Sequence, residues 1–254
     1  MKWSHKLYLA LGFCFFYIPL AVLIVYSFNA SEFSLRWHGF TTHWYAQLMQ
    51  NEDLLQTAWH SLLLGMSAAT LATLIGGLGA ISLAYYHFPG KPFLVVSLFV
   101  MIILPDIIFG AALLIIYRLL SLELGFLSLL IAHVTLCIPF VVVVIQGRLS
   151  TYDKNIFEAA IDLGASQWQL MKSIILPLIS SALVAAWLLS FTLSLDDVLI
   201  SYFVAGPSFQ ILPLSIYSMV KLGVNPEINA LTSLILIVTT SVVLLSFLSL
   251  KHRD

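Results

Sequence analysis

Charge is what this 254-residue chain has least of: 9% of its residues are Asp, Glu, Lys or Arg, against 61% that are hydrophobic. Soluble domains carry about 25% charged residues, so a water-soluble fold is excluded. Cysteine is almost absent as well. Cys14 and Cys137 sit far apart inside apolar runs and not at metal-site spacing, which makes them small apolar fillers and leaves no metal site. The 12 acids and 11 bases give a net charge of -1, with the bases dispersed, so the chain lacks an electrostatic footprint for nucleic acid. No stretch reads G-x-x-x-x-G-K-[ST], and the one Gly-Lys pair, Gly90 and Lys91, runs into Pro92. H-E-x-x-H and any Ser-His-Asp arrangement supported by spacing are also missing. Neither catalytic residues nor a cofactor are expected.

What is present is apolar sequence in long blocks separated by short polar punctuation, the pattern of successive membrane-crossing helices. The first block, Leu7 to Phe28, measures roughly 33 Å as a helix, too long for a typical cleaved signal. Later blocks run about Ala58 to Tyr85, Phe93 to Tyr117, Gly125 to Ile145, Ile174 to Tyr202 and Ala230 to Leu250. The expectation is an all-α membrane protein, one domain over 1–254 with six transmembrane helices. Both termini are placed in the cytoplasm by the positive-inside rule. That choice puts Lys2, Lys6, Lys91, Arg148, Lys154, Lys172, Lys251 and Arg253 inside, and only Arg36, Arg118 and Lys221 outside. The first external loop, about Asn29 to Thr57, carries Trp37, Trp44 and Tyr45, with Trp59 just beyond it; these rings suit an interfacial belt or contact with an external partner. Its sequon, Asn29, Ala30 and Ser31, is given no role.

The longest inside loop reads as two short helices with a break. Asp153 caps the first, whose apolar face is Ile156, Phe157, Ala160 and Leu163; Gly164 ends it, and Ser166 with Gln169 forms a capping box for the second. The product is a bent hairpin that suits a groove in another protein, or else a merely interfacial amphipathic loop. Glu158, Ala159, Ala160, Gly164, Ile174, Leu176 and Pro177 stand at the positions of the EAA signature, and the segment resembles that of ABC-importer permeases. This resemblance implies the type I ABC importer permease fold. It also implies that 149–177 docks on separate ABC ATPase subunits beneath a pair of permeases, and that an external binding protein delivers the cargo.

Ionisable residues inside spans are costly and usually face a protein interior or a water-filled path. Asp106, Asp196 and Asp197 are the candidates, and no Lys or Arg lies deep in a span to neutralise them, which favours a cationic cargo. On a continuous fifth helix, Ser190, Ser194, Asp197 and Ser201 share one polar stripe, with Asp196 about 100° away, so Asp197 is expected to face the path. Asp106, Gly110, Leu113 and Tyr117 share a face of the third span, offering a carboxylate and then a ring for an amine, with Pro105 loosening the turn beneath. The alternative for each acid is structural, an aspartate bonded to neighbouring Ser, Thr or backbone groups. Trp187 and Phe191 read as packing, Glu227 as a solvated or partner-facing loop residue, and His133 as a satisfied packing histidine.

The blocks Gly39 to Tyr45, Leu163 to Ala165, Leu189 to Asp197, Phe203 to Pro207 and Gly223 to Ala230 are similar to the spermidine and putrescine importer permeases. That resemblance implies polyamine uptake across the bacterial inner membrane by alternating access, with a periplasmic polyamine-binding protein and a second permease as partners. A permease for another organic cation is the alternative. A secondary transporter driven by an ion gradient is a further one, but it has no need of the EAA segment and often shows internal repeats, which are missing here.

Overall fold

The computed structural model describes residues 3–31, 36–153, 155–222 and 226–251. Lys2, Lys154, Arg253 and 223–225, on which part of the charge count and one similarity block rest, lie outside them. Every long element is a helix: α1 (Trp3–Tyr26), α2 (His43–Gln50), α3 (Glu52–Tyr85), α4 (Lys91–Ile103), α5 (Asp106–Leu119) and α6 (Phe126–Leu149). They are followed by α7 (Asn155–Asp162), α8 (Gln167–Leu170), α9 (Leu176–Asp196), α10 (Leu199–Val204), α11 (Leu212–Leu222) and α12 (Pro226–Lys251). A wider π turn, Met171–Ile175, joins α8 to α9 so that Gln167–Asp196 runs on as one helix of 30 residues.

Among the described residues three helices are long and apolar enough to cross a membrane: Glu52–Tyr85, Phe126–Leu149 and Gln167–Asp196. Two expected straight spans are broken. The third divides into α4 and α5, which meet at 114°. Pro105 is the cause: it removes an amide and pushes Leu104 into an extended conformation at ψ 129°. The fifth ends as α9 at Asp196 and resumes as α10 at Leu199, because Asp197 is extended at ψ 121°.

The chain forms two compact units, Ala58–Leu214 and Met1–Thr57 with Ser215–Asp254. In the first, small residues bring helices together. Ala68, Ala72 and Ala80 of α3 and Ala182 and Ala186 of α9 share one core with Val141 and Ile145 of α6. A second core joins Leu113 and Tyr117 of α5 to Leu129 of α6 and to Ile200 and Val204 of α10. The outer surfaces carry Leu74, Leu78, Ile103, Ile115 and Leu119, all exposed, as helices bathed in lipid do.

In the second unit α12 packs on α1 and α2. Asn29 organises the loop after α1: its amide donates to the Arg36 carbonyl at 2.9 Å, its side-chain oxygen accepts from the His38 amide at 2.9 Å, and its carbonyl accepts from Trp44 Nε1 at 2.7 Å. The sequon asparagine is thus engaged from within. Trp44 is buried in this loop, whereas Trp37 is exposed. Glu227, expected as a solvated or partner-facing loop residue, is buried in the first turn of α12 and accepts from Asn51 Nδ2 at 3.0 Å.

Candidate functional site

Asp197 ends α9 and caps α10. Its carboxylate accepts the amides of Ile200 (3.2 Å) and Ser201 (2.8 Å) and the Ser201 hydroxyl (2.7 Å). An aspartate in extended conformation before a helix satisfies amides that have no partner within that helix. His133 of α6 closes the group: Nδ1 lies 2.7 Å from Ser194 Oγ, and Nε2 lies 2.9 Å from Ser201 Oγ and 3.5 Å from Asp197. The imidazole is fully buried and Asp197 is 8% exposed. Ser194, Asp197 and Ser201 therefore do come together, but they turn toward α6 and not toward open space. The stripe that assigned Asp197 to a path presumed a continuous helix, and the break at 197 removes that premise. Asp196, the last residue of α9, is the exposed acid of the two.

Asp106 is also exposed, at the first position of α5, where a carboxylate complements the helix dipole. The rest of its face points inward. Tyr117, expected beside a path, is buried and donates to the Ser128 carbonyl at 3.1 Å. At Gly110 the backbones of α5 and α10 approach so closely that a Cβ would lie 3.1 Å from Ile200 Cα and 2.9 Å from the Phe203 ring. Further along, Ser128 accepts from Tyr117 and donates to the Val204 carbonyl, joining α5 and α10 a second time. Each of the two helix breaks carries an exposed acid beside it, Asp106 at the start of α5 and Asp196 at the end of α9. Trp187 stacks on Phe191 at 5.3 Å and donates to Thr70 of α3, which joins α9 to α3 as packing.

The second constellation is the hairpin of α7 and α8. Asp153 accepts the Asn155 amide at 3.0 Å at the start of α7. Gly164 ends it in the left-handed region at φ 85°. There the Gly164 amide donates to Ile161 (2.9 Å) and the Ala165 amide to Ala160 (3.0 Å), the pair of bonds of a Schellman cap. Ser166 and Gln169 make the reciprocal capping box, at 2.8 and 3.3 Å. Phe157 and Ala160 face inward, with Phe157 edge-on to Tyr85 at 4.7 Å. Ile156 and Leu163 do not join them. Leu163 lies beyond the last turn of α7 and is 89% exposed, as Trp168 is at 72%. Glu158, Ala159, Gly164, Leu176 and Pro177 are exposed, Ala160 is buried and Ile174 is half-buried. Behind the hairpin a half-open groove of about 850 Å³ is lined by Tyr85, Lys91, Gln146, Phe157, Glu158 and Gln167.

Residues 72–253 match the family model described as binding-protein-dependent transport system inner membrane component. The chain is 52% identical over 241 residues to the spermidine/putrescine transport system permease protein PotC of Escherichia coli (strain K12), covering 95% of this chain and 91% of that one. It is 40% identical over 235 residues to the putrescine transport system permease protein PotI of the same strain, covering 90% and 84%. In fold it is similar to a chain of a bacterial ABC transporter involved in the import of the acidic polysaccharide alginate, with a TM-score of 0.73 at 15% identity over 98% of this chain and 94% of that one. The all-helical fold and this kinship agree: the chain is a permease subunit of an ABC importer and belongs to the family of binding-protein-dependent transport system inner membrane components.

Proposed function

We propose that this permease moves polyamines, spermidine or putrescine, across the bacterial inner membrane by alternating access. The observation that carries the cargo class is that each of the two broken spans, α4–α5 and α9–α10, keeps an acid exposed beside its break, Asp106 and Asp196, with no Lys or Arg next to either along the same spans. An amine with several positive charges is the chemistry such carboxylates accept. The two polyamine permeases it resembles, at 52% and 40% identity, support the same class. Asp106 and Asp196 are the contacting acids in this reading; Ser194, Ser201, Asp197 and Tyr117 support the wall behind them.

The chain is laid in the membrane with six spans, counting α4 and α5 as one, and with both termini in the cytoplasm. Residues 149–177 then form the ATPase-docking segment, which presents Leu163, Trp168 and Glu158. A second permease chain completes the pathway, and a periplasmic polyamine-binding protein delivers cargo from the opposite side.

The test is reconstitution of this chain with its ATPase and permease partners, measuring which amines raise ATP hydrolysis when the binding protein is present. Asp106→Asn and Asp196→Asn should each lower polyamine uptake while the assembled complex is recovered in normal amount. Wild-type uptake in both variants would sink the cationic pathway.

A further inference from the structure

We propose that His133 is a positioning residue that holds the break between α9 and α10 and thereby sets the direction in which Asp196 points. The hydrogens can be assigned one by one. Ser201 gives its only proton to Asp197, so its oxygen is left to accept, and Nε2 of His133 must donate to it. In the neutral ring Nδ1 then accepts the Ser194 proton. The chain of bonds runs in one sense, from Ser194 through His133 and Ser201 to the carboxylate. Each donor polarises the next acceptor.

The geometry makes this a clamp. Ser194 lies in the last turn of α9 and Ser201 in α10, so one imidazole from α6 grips both sides of a break. Asp196 stands between the two grips, at the exposed end of α9. A helix interruption is a soft joint unless its free amides and the angle between its halves are fixed. Asp197 answers the amides, and His133 fixes the angle. Because His133 is fully buried, it acts on cargo only through the joint.

The test uses the full transporter with Asp196→Cys in a Cys14→Ser background, Cys137 being fully buried. The first readout is the rate at which a polar maleimide labels position 196. His133→Leu should change that rate about tenfold, the scale of losing the buried hydrogen bonds to Ser194 and Ser201 together. His133→Gln should restore it to near the parent rate, because its amide reaches Ser201 from the place of Nε2. If the leucine variant does not assemble, Ser194→Ala takes its place, with about a threefold change expected. Equal labelling rates in His133, His133→Leu and Ser194→Ala chains would overturn the proposal.

The second readout, with Asp196 intact, is transport. The apparent KM for polyamine should rise about tenfold in His133→Leu and return in His133→Gln. This arm rests on the cargo role proposed for Asp196. A changed labelling rate with an unchanged KM would uphold His133 as the positioning residue and refute Asp196 as a cargo contact.

Discussion

A side chain placed at Gly164 would act through its own backbone. The residue sits at φ 85°, and nothing lies within 4 Å of a Cβ built there, so steric conflict with neighbours does not enter. For an alanine the left-handed conformation costs about 1–2 kcal/mol; asparagine pays less and β-branched valine pays more. Two hydrogen bonds depend on that conformation, from Gly164 to Ile161 and from Ala165 to Ala160. Each is worth about 0.5–1.5 kcal/mol net. Strain and the cap it threatens are therefore of the same size, and a valine tips the balance toward unwinding. A bias of about 1–2 kcal/mol moves a population roughly 5- to 30-fold. The outcome is a hairpin that no longer presents Leu163 and Trp168 together. The assay is cargo taken up per ATP hydrolysed, in vesicles holding the full transporter, for Gly164→Asn, Gly164→Ala and Gly164→Val. The ratio should fall in that order while thermal unfolding of the purified chain shifts little, because position 164 is itself exposed, although Phe157 of the hairpin enters the core shared by α6 and α9. A flat series at the parent ratio would refute the docking role. Equal losses in all three would refute the backbone argument, since they would point to a partner pressed against position 164.

Asp197→Ala leaves two buried amides and the Ser201 hydroxyl without an acceptor. It should destabilise by about 2–4 kcal/mol in thermal or denaturant unfolding, whereas Asp196→Ala, on an exposed residue, should shift stability by no more than about 0.5 kcal/mol. Gly110→Ala drives a methyl to within 3.1 Å of the α10 backbone and should cost about 1–3 kcal/mol by the same measurement. Asn29→Ala removes the side-chain bonds to the Arg36 carbonyl and the His38 amide that help close the loop after α1; about 1–3 kcal/mol of local stability should go, read as faster proteolysis within 27–42.

Local signals survived the passage from sequence to structure, and signals that needed a distant partner did not. The α7–α8 hairpin was readable because Asp153, Gly164, Ser166 and Gln169 act on backbone within a few residues of themselves. Leu163 was misplaced by a small error of the same kind: its spacing continues the apolar face, but the helix has already ended, and its side chain leaves with the turn. Pro105 announced a disturbance in the third span without giving its angle. Asp197 was harder. Hydropathy treats an aspartate within an apolar block as a helix-interior acid, and the same residue serves as a cap once the helix stops before it. A sequence cue was present in Asp197 followed by an apolar run, the order in which helices begin. What supports that cap comes from His133, more than 60 positions earlier, and no spacing rule reaches that far. Glu227 failed for a like reason, since its partner Asn51 lies 176 residues away.

The π turn at Met171–Ile175 gives the chain a property that side chains alone do not. A π turn holds one residue more than an α-helical turn, and each residue of a regular helix advances the chain by about 100° and 1.5 Å. The hairpin of α7 and α8 therefore keeps its aim relative to α9 although the stretch carries one residue more than a regular helix would. Deleting one position there should regularise the turn and leave the hairpin aimed nearly as it is, whereas deleting one from a regular turn of α9 should swing it by about 100°. A slack of one residue is thus stored at the joint between hairpin and span.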